Sequence, residues 1–178
     1  MQAQEHSTVR EGLATGLLGA VVVAAWYLLC DLLSGQPLET MNVLGRIFLQ
    51  GDVNPGPRAI DPAAVAGFLV FHLAVFVLIG MALAKVTHLA AANLSLRMGV
   101  WLGLVVAFMF LTGLVFMLNV STGNRLPLWE VLGGGVLGVA AMGWRLWRRH
   151  PRLGRSFDQV PLGDEVRSPP HAPGGPRV

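Results

Sequence analysis

Four long stretches of this chain are almost wholly apolar, and the polar positions crowd between them. Residues 12–30 carry no charge. A helix rising about 1.5 Å per residue covers roughly 30 Å over that length, one hydrocarbon core. Small residues recur there at every fourth position, Gly12, Gly16, Ala20 and Ala24, which lets a second helix approach closely. Carried further, the same face reaches Tyr27 and Asp31, so the acid sits on the packing face. The connection 34–61 holds Gly35 and Pro37 as breakers and Thr40 as an N-cap for a short helix. Met41, Leu44, Ile47 and Phe48 then form a stripe with Asn42, Arg46 and Gln50 largely opposite, the pattern of an amphipathic helix lying on a membrane surface.

Asp61-Pro62 is a helix start, an N-cap acid followed by proline at the first helical position. Residues 62–84 are uncharged, and the helix can run past Lys85 to about residue 92. Ser95 is expected to cap a third helix over about 96–118, with Gly99, Gly103 and Ala107 at small-residue spacing. Pro127 opens the fourth, about 127–147. Only 131–144 is free of charge there, so a full crossing needs Glu130 at one interface and Arg145 snorkelling at the other. Trp129 at one end and Trp144 and Trp147 at the other mark two aromatic belts that favour the crossing.

The predicted fold is therefore an all-α membrane protein: four transmembrane helices in a bundle (about 12–33, 62–86, 96–118 and 127–147) with an amphipathic surface helix in the first outer loop. A polar segment 1–10 precedes the membrane domain 11–149, and a Pro-, Gly- and Arg-rich tail, 150–178, reads as disordered.

Composition agrees. Hydrophobic residues make up 53% and charged residues 13%, against about 25% charged in soluble domains. Mean hydropathy is +0.58 and the pI near 10.0. The basic excess does not point to nucleic acid, because Arg145, Arg148, Arg149, Arg152 and Arg155 follow the last apolar run directly. Adding Arg10, Lys85 and Arg97 puts eight cations on the side of the termini, against Arg46, Arg58 and Arg125 on the other. The positive-inside rule then places both termini in the cytoplasm. Arginine outnumbers lysine twelve to one, which suggests a GC-rich bacterial gene and hence a bacterial inner membrane. Cys30 is the only cysteine, so no internal disulfide forms. Lacking a small-x-small cleavage site after it, the first run is expected to stay in the membrane.

Candidate chemistry is sparse. His72 lies ten residues into the second span, roughly 15 Å deep and near the bilayer midplane, with Phe68 and Phe76 on its face. An ionisable residue at that depth is a functional hypothesis by default: a haem ligand, a quinone contact or a proton relay. Met109 at similar depth offers a His/Met pair, and a homodimer offers a second His72. The alternative is a neutral imidazole bonded to Thr112 or to a carbonyl. A second candidate is the outer polar layer, Asp31, Asn119, Arg125 and Glu130, where two acids and an arginine bind a cation or begin a proton path toward His72 by way of Tyr27. The alternative there is a structural pair between Asp31 and Arg125 or Arg46. Gly133-Gly134-Gly135 lacks the ending of a phosphate loop and reads as helix packing. His6, His88, His150 and His171 fall outside the apolar runs and suggest no buried metal site.

The stretch Trp26, Tyr27, Leu28, Asp31, Leu32, Gly35, Pro37, Thr40, Leu44, Gly45 resembles a W-[FY]-L-x-x-D-L-x-x-G-x-P-x-x-T-x-x-x-L-G pattern. That pattern belongs to a group of short bacterial four-span integral membrane proteins, and Phe71-His72 resembles the same group. The resemblance implies a shared fold and no particular activity. Three functions stay open: a non-enzymatic accessory or scaffold subunit or self-associating bundle, with the bilayer and a homo-oligomer or larger complex as partners; a haem- or quinone-binding protein using His72; and a small transporter or proton-coupled channel using Asp31, His72 and Glu130.

Overall fold

The computed structural model describes residues 2–52, 59–93, 96–120 and 126–151, with the side chains of residues 2–7 and 97 left aside. The expected Ser95 cap, the cations Arg58 and Arg125, and the tail from residue 152 lie outside the described residues.

Five helices make up the described chain: α1 (Gln2–Leu33), α2 (Glu39–Gln50), α3 (Pro62–Ala92), α4 (Arg97–Val120) and α5 (Leu128–Arg149). Three of them, through Thr8–Leu33, Pro62–Ala92 and Met98–Val120, are long and apolar enough to cross a membrane. The protein is thus an all-helical, multi-pass membrane protein. Its outward surface carries Val21, Val70, Leu102, Val106 and Phe110, all more than half exposed, a surface suited to lipid and untenable in water.

The polar segment expected to precede the first span is helical from Gln2. No glycine or proline interrupts 2–10, so the helix propagates outward from the apolar run. α3 starts as predicted: the Asp61 carboxylate accepts from Ala63 N at 2.9 Å and Ala64 N at 3.3 Å, with Pro62 behind it.

α1 packs against α3 and α5, and α4 against α3 and α5. The small-residue ladder of α1 is consumed in the first of these contacts. A Cβ on Gly12 would lie 2.6 Å from the Met81 Cα, one on Gly16 would meet the Phe76 carbonyl, and one on Gly80 would meet the Gly16 backbone. In lipid, where burial of apolar surface drives nothing, such backbone-to-backbone contact is what holds helices together. α5 lies antiparallel along α1: Gly133 on Trp26, Gly138 on Val23, Met142 on Gly19, and His150 beside Glu11. The core between the helices includes Ala20, Val23, Tyr27, Phe76, Leu104, Met142 and Leu146.

α2 departs from the sequence expectation twice. Its N-cap is Leu38, in the left-handed region at φ 67°, with no side-chain cap bond of its own. Asp31 supplies the cap from a distance, accepting from Thr40 N at 3.0 Å and from Thr40 Oγ1 at 2.6 Å. The helix also shows no wet face through its first two turns: Thr40 to Arg46 are all buried. The stripe residues Met41 and Leu44 join Val65 and Phe68 of α3 and Leu126 in a second core, and Gly45 rides on the Ala64 backbone. Asn42 and Arg46, expected to face water, are covered because the returning loop gives them partners. Asn42 Oδ1 accepts from Asp61 N at 2.9 Å, and Arg46 pairs with Asp52 at 2.7 Å. Phe48 is the exposed member of the stripe and stacks on Phe71 at 3.9 Å.

Candidate functional site

The predicted site residues fall into two groups, and a third group that the sequence did not announce lies at the opposite end. His72 is half-buried on α3, its ring 4.6 Å from that of Phe76 and 5.8 Å from that of Phe68. Its Nε2 lies 3.1 Å from the main-chain oxygen of Ala20 on α1. A carbonyl only accepts, so the bond fixes the proton on Nε2. Of the two neutral partners expected, the carbonyl is the one found. Thr112 instead turns its buried hydroxyl toward Gly135, with no hydrogen-bond partner.

His72 and Tyr27 line one cavity of about 40 Å³ with Phe68, Val131, Gly134 and Leu111. That space suits one or two waters. Cofactor pockets run to roughly 300 Å³ and more, so a haem does not fit beside His72. Met109 is 66% exposed on the outward side of α4, and the structure does not bring it to His72 as a second ligand.

At the α2 end of the helices, Asp31 bonds Thr40, and the expected partner Arg46 is held by Asp52 instead, while the other expected partner, Arg125, lies outside the described residues. Asn119 closes the α4–α5 connection: its Nδ2 donates to Leu126 O and its Oδ1 accepts from Leu126 N, each at 2.9 Å. Glu130 accepts the Trp26 indole N–H on its main-chain oxygen at 2.9 Å. Its buried carboxylate lies in electrostatic reach of Asp31 and Tyr27. Glu130, Tyr27 and His72 thus form a column from the α2 end toward the middle of the helices.

At the other end, Glu11 of α1, His88 of α3 and His150 at the end of α5 converge. Glu11 Oε2 is 2.8 Å from His88 Nε2, and Glu11 Oε1 is 3.0 Å from His150 Nε2. The two imidazoles meet edge to face at 4.9 Å, and all three ligand atoms lie within 4.8 Å of one another. The sequence, which places these histidines outside the apolar runs and reads no buried metal site from them, did not anticipate this convergence. The signal that finds it is the depth count used for His72: Glu11 starts one apolar run, while His88 and His150 follow two others, so antiparallel helices bring all three to one level.

Between α4 and α5 an open groove of about 740 Å³ faces outward, lined by Trp101, Phe108, Ala140, Gly143, Trp144 and Trp147 among others. Trp101 and Trp147 meet at 4.9 Å, and Arg148 lies 4.5 Å over the Trp144 ring.

Comparison with protein-family models, with curated proteins and with solved structures finds no match to this chain.

Proposed function

We propose that the protein is a non-enzymatic four-span membrane protein that works by association, as an accessory or scaffold subunit or with a second copy of itself, through its α4–α5 face. The groove between α4 and α5 carries this reading. The small-residue faces first expected to serve association are occupied within the chain, Gly12, Gly16 and Gly80 in the α1–α3 contact and Gly133 to Gly138 against α1 and α4. The groove is a concave apolar surface that the chain does not itself fill, large enough to take a helix side.

Four spans are supported by the α1–α5 pairing. α5 follows α1 from Trp26 to Glu11, which favours a crossing beside it, and Arg148, three residues beyond the Arg145 expected to snorkel, lies over Trp144. Trp26 and Trp129 pair at the outer end, and Trp101, Trp144 and Trp147 gather at the inner one, as two aromatic belts do. With the arginine count, this favours cytoplasmic termini in a bacterial inner membrane. A reporter fused after Arg149 is expected to read cytoplasmic.

Photo-crosslinkers at Val105 and Val136 in the groove, with Val21 and Val70 as lipid-facing controls, test the association in native membranes. Polypeptide adducts at the groove and not at the controls are expected, and lipid adducts alone at all four positions exclude the reading. The haem-ligand alternative loses support to the cavity size and the position of Met109. The proton-path alternative keeps one observation, the cavity shared by Tyr27 and His72. It requires a proteoliposome flux that His72→Ala abolishes.

A further inference from the structure

We propose that Glu11, His88 and His150 form a site for one divalent transition-metal ion of the zinc class, at the end of the helices opposite α2. Two imidazole nitrogens and one carboxylate are the donor set that suits zinc and its neighbours, with a fourth position left for water. Ligand bonds near 2.05 Å in a tetrahedral site put donor atoms about 3.3 Å apart. Glu11 meets the two imidazoles through its two oxygens, Oε2 at 2.8 Å from His88 and Oε1 at 3.0 Å from His150, and with one ligand atom from each residue no pair need close by more than about 1.5 Å from the present upper limit of 4.8 Å.

The ligand atoms are held rather than merely near. Each comes from a different helix, and α1 and α3 are fixed against each other by the glycine contact at Gly16 and Gly80. His150 is the C-cap of α5, its N–H shared between Leu146 O at 3.0 Å and Trp147 O at 3.2 Å. His150 lines, with Thr87, Leu146 and Trp147, a space of only about 10 Å³. The side chains of Glu11, His88 and His150 are 14%, 26% and 17% exposed, sheltered yet reachable from water. Without a metal, both Nε2 atoms face carboxylate oxygens and carry the protons. A bound ion takes the Nε2 position: the proton of a neutral imidazole moves to Nδ1, and an imidazolium keeps its Nδ1 proton and gives the other to solvent.

The test uses the full-length protein with a tag free of histidine, stripped by chelator and held in lipid nanodiscs. Titration with Co²⁺, followed by its visible d–d bands and displaced by Zn²⁺, is expected to give one ion per chain. Glu11→Gln, His88→Ala and His150→Ala are each expected to weaken binding by about tenfold or more, while His72→Ala binds as wild type. Equal binding by wild type and by the His88→Ala/His150→Ala double variant overturns the site. Wild type alone gives an arm that does not depend on how the variants fold: saturating Zn²⁺ should shield His88 and His150 from diethylpyrocarbonate, and unchanged modification of both overturns the proposal.

Discussion

His72 lies near the middle of α3 and bonds one main-chain oxygen. His88 lies near the end of the same helix and meets a carboxylate and a second histidine. By cost alone the first is the functional residue, because an ionisable group deep in lipid is expensive and the interfacial one is cheap. Their surroundings reverse that ranking. His72 is satisfied as a neutral donor, with a cavity of about 40 Å³ beside it, whereas His88, His150 and Glu11 point three ligand atoms at one place. Depth says how much a side chain costs, and convergence says what it can do.

Both histidines depend on the same α1–α3 distance, so the largest expected effect comes from breaking it. Gly16→Leu puts a branched side chain where the Phe76 carbonyl and the Val77 Cα stand. Separating the helices should cost about 3 kcal/mol or more, at the upper end of overpacking penalties. It should disrupt the His72–Ala20 and Glu11–His88 bonds together, read by thermal unfolding in nanodiscs and by imidazole NMR shifts. A variant as stable as wild type would show that the glycine contact is not what sets the spacing.

Asp31→Ala sharpens the comparison from the α2 end, where the acid's partners among the described residues are the two hydrogen-bond donors of Thr40. It leaves Thr40 N and Oγ1 without their acceptor and α2 with the uncapped start at Leu38, a loss of about 2 kcal/mol. Hydrogen exchange should quicken across residues 39–46 and stay unchanged at His88. Glu11→Ala strands two imidazoles and should cost about 1 kcal/mol. His72→Leu removes one bond to a carbonyl already engaged in its helix and should cost less than about 1 kcal/mol. If thermal melts rank His72→Leu as the more damaging of the two, the middle of the helix and not its end is the organising site.

The helices were legible because an apolar run of fixed length and a proline after an acid are local signals, as Asp61-Pro62 shows. α2 was legible as a helix and misread as a surface. Asn42 and Arg46 look solvent-facing in sequence, and only the loop that returns Asp52 and Asp61 over them changes that. Thr40, read as the N-cap of α2, lies one residue inside the helix, behind Leu38 and Glu39, and its partner is nine residues back, beyond any local capping rule. The cluster of Glu11, His88 and His150 stayed hidden because its members lie 77 and 139 residues apart in sequence, and it becomes visible only when the antiparallel order of helices is used to level their ends.

The smallest effect tests whether an acid outside the membrane behaves as ordinary capping chemistry does. The Gln50 amide donates to Asp61 at 2.6 Å, and the Ala63 and Ala64 N–H groups add to it, so the Asp61 carboxyl is held below its ordinary value. A carboxyl whose pKa is lowered by folding stabilises the fold fully above its unfolded value, near 3.9. That contribution is lost as the pH falls through the lower, folded value. Asp61→Asn keeps a good N-cap oxygen but no titrating group. The difference in melting temperature between wild type and Asp61→Asn should therefore be constant from pH 7 to 5 and shrink below about pH 4. A difference that does not change with pH down to 3 would mean that hydrogen-bond geometry alone, without the charge, holds the start of α3.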